Sequence, residues 1–383
     1  MWRSPSILAA LVFIATSTVA QIGKTVVVAA GSDQDRALSP IYSAPDNSDK
    51  IAMIDKFMAA YGKGDYELLG DQLYMQTYLA LKDYPKVFEY GDRMLALDPD
   101  NLSAAVTMTH AAEQMGDAQR LFAIGEKVSQ MIARYKVLPA PEGTPADQWK
   151  QKQQEALKGA QDNLNYVQYA MIQSAYKTAD PAARAALFER FVAAFPDTSY
   201  TPGAREQTAF AYQQARDNTK MIASAKTALA ADPNDASMLL LLADHWSDSG
   251  QNVSEAVANA KKALDALQQA KKPDNVTDEQ WQQQLGIEKG LAYSCLGEVD
   301  VIQNRNPAAV ESFRQASPLL KPNDFYYGRN LYRLGFTLAK MQRLPEARAV
   351  LTEAVAVNSP YKSRAQETLD KIGGPAARRR KRS

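Results

Sequence analysis

The side chains that most often bind metals or act as nucleophiles are scarce in this sequence. It has two histidines, His110 and His245, and a single cysteine, Cys295. These residues do not follow a metal-ligand spacing, and no His-Glu-x-x-His motif is present. Cys295 lies mid-helix by its sequence pattern, with no histidine near it, which favours a small buried apolar residue over a nucleophile.

Other catalytic signatures are also missing from the sequence. It contains no Gly-x-Ser-x-Gly motif and no phosphate-binding loop, and no pair of carboxylates stands out as an acid/base couple. Asp244 and Asp248 lie one helical turn apart and could bind a cation, although a solvated helix face is favoured. The sequence therefore predicts a protein that is not an enzyme and has no cofactor or metal. A hydrolase that uses Cys295 or a serine remains a third hypothesis.

The formal charges nearly cancel, since 44 Lys and Arg face 43 Asp and Glu. The basic run of Arg378, Arg379, Arg380, Lys381 and Arg382 is confined to the C-terminus, so the rest of the chain is net negative. No specific nucleic-acid binding is expected of that body. The tail has three interpretations: a patch that binds an anionic surface, a solvated end, or a processing site. The solvated end is favoured.

The first twenty residues have the pattern of a secretory signal. A short basic segment at Arg3 precedes the apolar run 7–14, and Ala20 ends a small-residue cleavage site. An uncleaved membrane anchor is the alternative. The prediction is export to the periplasm or beyond after cleavage near Ala20, with no transmembrane span remaining.

The rest of the chain indicates helices that recur at a fixed interval. Phe88 and Phe122 are 34 residues apart, as are Gly91 and Gly125. Large and small apolar residues alternate in segments separated by Asp-Pro, Gly-Asp and similar breaks, which are typical helix boundaries. A repeat of about 34 residues predicts stacked helix pairs, because one pair cannot bury its apolar face alone.

The last copy of this repeat, 331–360, carries the clearest motif. Its first segment reads Leu-Tyr-Arg-Leu-Gly-Phe-Thr-Leu, and Ala347, Ala354 and Pro360 follow. It resembles the tetratricopeptide repeat (TPR) family. The resemblance covers about 68–134 and 198–372 and implies an all-α, right-handed solenoid of stacked antiparallel helix pairs. The turn 195–200 resembles the inter-repeat turn of exported bacterial members, including those of envelope assembly.

The breaks in the pattern predict six segments. They are a signal peptide at 1–20, a flexible N-terminal segment at 21–48, TPR-like repeats at 49–138, a proline-rich break and irregular long helix pair at 139–200, TPR-like repeats with a terminal helix at 201–372, and a disordered basic tail at 373–383.

The resemblance implies a binding surface on the concave side, formed by the first helix of each pair. The candidate groove residues are His110, Glu113, Phe210, Gln213, Asp244, Arg329, Tyr332, Phe336 and Lys340. Tyr332 and Phe336 could instead pack against the terminal helix. The set of Lys and Asn residues that forms the carboxylate clamp of chaperone-binding members is not found.

Two functional hypotheses remain open besides the hydrolase. The first is an exported scaffold that binds a protein segment and helps to organise a cell-envelope complex. The second is an accessory subunit that contacts polysaccharide or another anionic envelope surface through the basic tail or the region 139–200. The identity of the partner is not given by the sequence.

Overall fold

The computed structural model describes residues 22–373. The predicted signal peptide and the basic tail at 378–382 lie outside the described residues. By its internal contacts the chain divides after Ala204 into two units. Each is described separately below.

The first unit consists of helices joined by short turns. Its helices are α1 (Asp33–Ser43), α2 (Asn47–Tyr61), α3 (Asp65–Ala80), α4 (Tyr84–Leu97), α5 (Leu102–Met115), α6 (Ala118–Val137), α7 (Ala146–Gly159), α8 (Gln161–Lys177) and α9 (Pro181–Ala194).

The second unit contains the remaining helices, and the division falls in the first turn of α10. These helices are α10 (Thr201–Gln214), α11 (Asn218–Ala231), α12 (Ala236–Ser249), α13 (Val253–Gln269), α14 (Asp278–Ile302), α15 (Asn306–Leu320), α16 (Asp324–Lys340), α17 (Leu344–Ala356) and α18 (Lys362–Lys371). No strand occurs between residues 22 and 373, and consecutive helices pack as pairs. The predicted all-α array of stacked helix pairs is confirmed.

Local sequence signals place the helix ends. Asp117 accepts a hydrogen bond from the backbone amide of Arg120 and so caps α6, directly after Gly116 closes α5 in a left-handed conformation (φ 67°). Asp180 caps α9 in the same way, with Pro181 at the first helical position. These turns reverse the chain within three residues, which makes neighbouring helices antiparallel.

The N-terminal segment differs from the expected mobile lead-in. Residues 33–43 form α1, whose Leu38 and Ile41 are buried with Phe57 of α2. Ahead of α1, Ile22 is 4% exposed and the amide of Lys24 donates to Asp98 Oδ2 at 2.7 Å. The buried contacts of this segment are long-range, and its polar composition does not reveal them.

The region 139–200 is a helix pair preceded by an additional helix. The first member of the expected long helix pair is interrupted at Ala160, where α7 ends and α8 begins. Helix α7 buries only Ala156 fully, whereas α8 packs against α5, α6 and α9. Thus α8 and α9 form the pair of this region.

The longest helix of the second unit explains an irregular repeat length. The spacing from Tyr293 to Ala309 exceeds the family pattern, which predicts an extended first helix or turn. The structure assigns the extra length to α14, which has 25 residues. Its N-terminus is fixed by a capping box between Thr277 and Gln280.

Glycines set the distance between the helices of a pair. A Cβ on Gly335 of α16 would lie 2.6 Å from Leu351 Cγ of α17, and Ala347 of α17 is fully buried. On α14, a Cβ on Gly297 would lie 2.7 Å from the Phe313 ring of α15. Small residues on one helix therefore pack closely against large residues on its partner.

Two alanine substitutions in α14 are expected to change stability in opposite directions. Gly297→Ala should destabilise the second unit by about 1–3 kcal/mol, because the fully buried Phe313 ring has no space to move. Gly286→Ala should stabilise it by about 0.5–1 kcal/mol, since the nearest atom lies 3.9 Å from its Cβ and alanine favours a helix. Thermal unfolding of the two variants measures both effects, and equal shifts would contradict this packing role.

Candidate interaction surfaces

A row of polar side chains joins α5 and α8 in the first unit. The Tyr166 hydroxyl donates to Glu113 Oε2 at 2.8 Å, and His110 Nδ1 lies 3.2 Å from the same hydroxyl. Burial, followed by the hydrogen bond to Glu113, raises the pKa of Tyr166 above its ordinary value. The tyrosine therefore stays protonated and orients the carboxylate.

A cavity of about 200 Å³ lies beside this row. Its walls combine polar side chains with small apolar ones at the ends of α5 and α8 and the start of α6. The lining residues are Ala112, Glu113, Gly116, Ala118, Leu121, Ala170, Gln173, Ser174, Lys177 and Thr178. One carboxylate and one ammonium group thus border a largely uncharged interior.

An aromatic ladder, defined here as Phe325, Tyr332, Phe336 and Tyr361, marks the last helix pair. Tyr332 lies 6.2 Å from Phe336 and 6.1 Å from Tyr361, and Phe325 lies 5.8 Å from Tyr361, as measured between ring centroids. Phe325 and Phe336 are 44% and 46% exposed. Since exposed aromatic side chains are favoured at protein interfaces, the ladder is a candidate contact surface.

An ion network, consisting of Asp244, Asp248, Glu298, Arg329 and Arg333, links the first helices of three successive pairs. Arg329 Nη2 lies 2.5 Å from Asp244 Oδ1, and Arg329 Nη1 lies 3.1 Å from Asp244 Oδ2. Arg333 contacts Asp248 and lies 3.1 Å from Glu298 Oε2. The network therefore joins α12, α14 and α16.

The ion network keeps Asp244 ionised inside the second unit. Burial alone would raise the pKa of Asp244, but the attraction of Arg329 and Arg333 outweighs burial and holds the pKa below its ordinary value. The same carboxylate lies 3.6 Å from the Cys295 thiol. Burial and then the Asp244 charge raise the pKa of Cys295, so the thiol stays protonated, as a buried structural cysteine does.

The structure requires a correction for two of the predicted groove residues. Arg329 is 2% exposed and the Asp244 side chain is 14% exposed, and they pair with each other. They were expected to present their charges to a ligand. Their opposite charges instead satisfy each other, so neither presents a free charge at the surface. Asp244 and Asp248 also do not form the cation site considered above, because both carboxylates already contact guanidinium groups.

The other predicted groove residues are partly or fully exposed. His110, Gln213, Phe336 and Lys340 are exposed, while Glu113, Phe210 and Tyr332 are half-buried. Lys340 Nζ donates to Asn304 Oδ1 at 3.0 Å. Their role in binding a partner stays a prediction.

Sequence reasoning missed several residues that complete these surfaces. Tyr166 and Lys177 lie in a region interpreted as irregular, and Tyr361 lies at the start of the terminal helix. Arg333 had a local signal, since it lies one turn after Arg329 on the same helix face. Its carboxylate partners lie on α12 and α14, far away in the chain, so no local pattern could identify them.

The comparisons with known proteins give structural neighbours only. No protein-family model matches this chain. No curated protein matches it either. Solved structures that resemble it include the APC/C hetero-tetramer Cut9-Hcn1, with 12% identity over 88% of this chain and 62% of that chain and a TM-score of 0.43. The chain spans less than two thirds of that neighbour.

Two further structures resemble this chain. A thermophilic TPR protein of Thermus thermophilus is 19% identical over 54% of this chain and 98% of that chain, with a TM-score of 0.32. The P58(IPK) TPR domain is 11% identical over 89% of this chain and 97% of that chain, with a TM-score of 0.30. Both neighbours are TPR proteins. This chain shares the all-α class with them.

Residues 22–373 contain neither a membrane-spanning helix nor a cluster of metal ligands. No helix there is long and apolar enough to cross a membrane. No group of three or more His, Cys, Asp or Glu side chains within the described chain has an arrangement that could hold a metal ion.

Proposed function

We propose that this protein is an exported, non-enzymatic scaffold that binds a segment of a partner protein in a cell-envelope complex. The contact surface is the aromatic ladder of the last helix pair, together with Lys340. Stacked helix pairs supply rigid side-chain platforms of this kind, and the protein's function is the placement of its partner.

The observation that carries the proposal is the exposure and alignment of the ladder. Phe325, Tyr332 and Phe336 occupy positions i, i+7 and i+11 of α16, so they share one helix face. Phe325 and Phe336 are separated by about 16 Å along the helix axis. Two exposed phenylalanines at that distance provide anchors for an extended segment of about five residues.

Export and the envelope role rest on the sequence. The residues 1–20 have the three parts of a secretory signal. The turn 195–200 resembles the inter-repeat turn of exported bacterial members of the TPR family.

The basic tail supports a second candidate role. Five consecutive cations at 378–382 suit an anionic envelope surface such as lipopolysaccharide. Deleting 378–382 should then abolish retention on lipopolysaccharide while leaving partner binding at the ladder intact. Retention that persists after the deletion would assign the contact to another part of the chain.

In-cell crosslinking tests the proposed partner surface. A photoreactive phenylalanine at Phe336 should give one discrete adduct, because the side chain is 46% exposed within the ladder. The matched control is the same photoreactive residue at the exposed Glu353 of α17, which should give none. Mass spectrometry of the adduct identifies the partner and its compartment.

The outcomes of this experiment separate the parts of the proposal. Equal adducts at Phe336 and Glu353, or none at either position, would contradict binding at the ladder. An adduct with a cytosolic protein would contradict export while supporting the scaffold role.

A further inference from the structure

We infer that the cavity of the first unit binds short zwitterionic peptides of two or three small residues. The peptide's ammonium group contacts Glu113, and its carboxylate contacts Lys177. The site lies within the first unit and does not rest on the proposed function.

The anionic end of the cavity is pre-organised. The Tyr166 hydroxyl donates a hydrogen bond to Glu113 Oε2 at 2.8 Å. His110 Nδ1 lies 3.2 Å from the same hydroxyl and restrains its position. An ammonium group of a ligand would bind the second carboxylate oxygen, Oε1. Because Glu113 is half-buried, a charged contact here is less screened than one at an exposed surface.

The cationic end lies at the opposite end of the α8 wall. The lining residues of α8 run from Ala170 to Lys177. Tyr166, which binds Glu113, lies one turn before Ala170, so Glu113 is at the Ala170 end of the cavity. Lys177 is in the last turn of the helix. An anionic ligand group is therefore expected at this end of the cavity only.

The length of the α8 wall that lines the cavity sets the length of the ligand. Ala170 and Lys177 are seven residues apart, which is about 10 Å along the helix. Three extended peptide residues span about the same distance. A tripeptide therefore matches the lined part of α8, and a longer chain would extend beyond it.

The floor of the cavity limits the size of the ligand's side chains. Ala112, Gly116, Ala118 and Ala170 line it, and the volume of about 200 Å³ is below the usual range for drug-sized ligands, about 300–1,000 Å³. Methyl side chains fit against such a surface, whereas aromatic ones do not. Gln173 and Ser174 also line the cavity and offer an amide and a hydroxyl to the peptide groups of a ligand.

Calorimetric titration of the full chain with trialanine tests this site. We expect binding that weakens by about tenfold or more when the peptide is N-acetylated and by a smaller factor when it is C-amidated, because Glu113 is half-buried whereas Lys177 is exposed. Glu113→Gln should abolish the preference for the free amino terminus, and Lys177→Met should abolish the preference for the free carboxylate.

Two exposed positions of α7 provide matched controls. Glu155→Gln and Lys158→Met make the same chemical changes outside the cavity and should leave trialanine binding unchanged. Equal binding of the blocked and free peptides, or no binding of trialanine to the folded chain, would overturn the inference. The crosslinking result at Phe336 is independent of either outcome.

Discussion

Replacing Arg329 by methionine is expected to destabilise the second unit by about 3–5 kcal/mol. The substitution leaves the Asp244 carboxylate, which has a 14% exposed side chain, without its main counter-charge. Asp248 retains Arg333, so the loss should centre on α12 and α16. This is the largest effect that a single substitution of the ion network should produce.

Hydrogen exchange and thermal unfolding of the full chain measure this effect. Peptides from α12, α14 and α16 should exchange faster, while those of the first unit should keep their protection. The matched control is Arg314→Met, since Arg314 is 47% exposed and its pair with Glu346 lies at the surface. That change should cost no more than about 1 kcal/mol.

A double substitution separates charge from packing. If Arg329→Met acts by leaving a buried charge unpaired, adding Asp244→Leu should recover much of the lost stability. Two results would contradict the stabilising role of this pair. One is a double variant that is no more stable than Arg329→Met, and the other is a loss of stability for Arg329→Met no larger than that for Arg314→Met.

Replacing Asp71 by asparagine is expected to stabilise the first unit at pH 8 by about 1–3 kcal/mol. Asp71 lies on α3 with no exposed surface, and its carboxylate pairs with Arg93, whose Nη2 lies 2.9 Å from Oδ1. Burial outweighs the attraction of Arg93 and raises the pKa of Asp71 to about 6. At pH 8 the fold therefore holds an ionised carboxylate whose burial the pair with Arg93 does not fully offset.

The sign of the pH dependence follows from this raised pKa. The folded protein binds the Asp71 proton more tightly than the unfolded chain does, since the ordinary pKa of the group is 3.8. The stability that the folded protein gains from binding this proton more tightly is fully present below about pH 4. It is lost as the pH rises through about 6. Asparagine does not titrate, so the variant should lack this loss.

Melting temperatures at pH 4.5 and pH 8 test the prediction. The gain for Asp71→Asn should reach several degrees at pH 8 and be much smaller at pH 4.5. Asp92→Asn, at an exposed position of α4, is the control and should show no such difference. A gain that is equal at both pH values would show that Asp71 does not titrate as inferred.

Helix boundaries and the close packing within pairs were predictable from the sequence because local chemistry sets them. Gly116 and Asp117 terminate one helix and cap the next whatever the distant neighbours are. Gly335 and Ala347 are small where two helices approach, so their spacing in the repeat indicated the contact. Because the repeat recurs along the chain, the same boundary and contact signals occur in several helix pairs.

The sequence predicted one part of each candidate surface, namely the residues on the first helix of a pair, but not their partners on other helices. His110, Glu113, Tyr332 and Phe336 were identified because they recur on the first helix of a pair. Their partners Tyr166 and Tyr361 lie 53 and 29 residues further on, from Glu113 and Tyr332 respectively, in segments with weak repeat character. Which residues share a surface depends on the packing of successive pairs, and a helical periodicity does not contain that information.

The sequence by itself determined the helical class, the order of the helix pairs and the scarcity of catalytic side chains. Only the tertiary structure decided that Arg329 and Asp244 face each other inside the second unit, 85 residues apart in the chain. A charged residue on a helix face is equally compatible with a solvated position and with a buried pair. The choice depends on whether an opposite charge from another helix reaches it when both are removed from water.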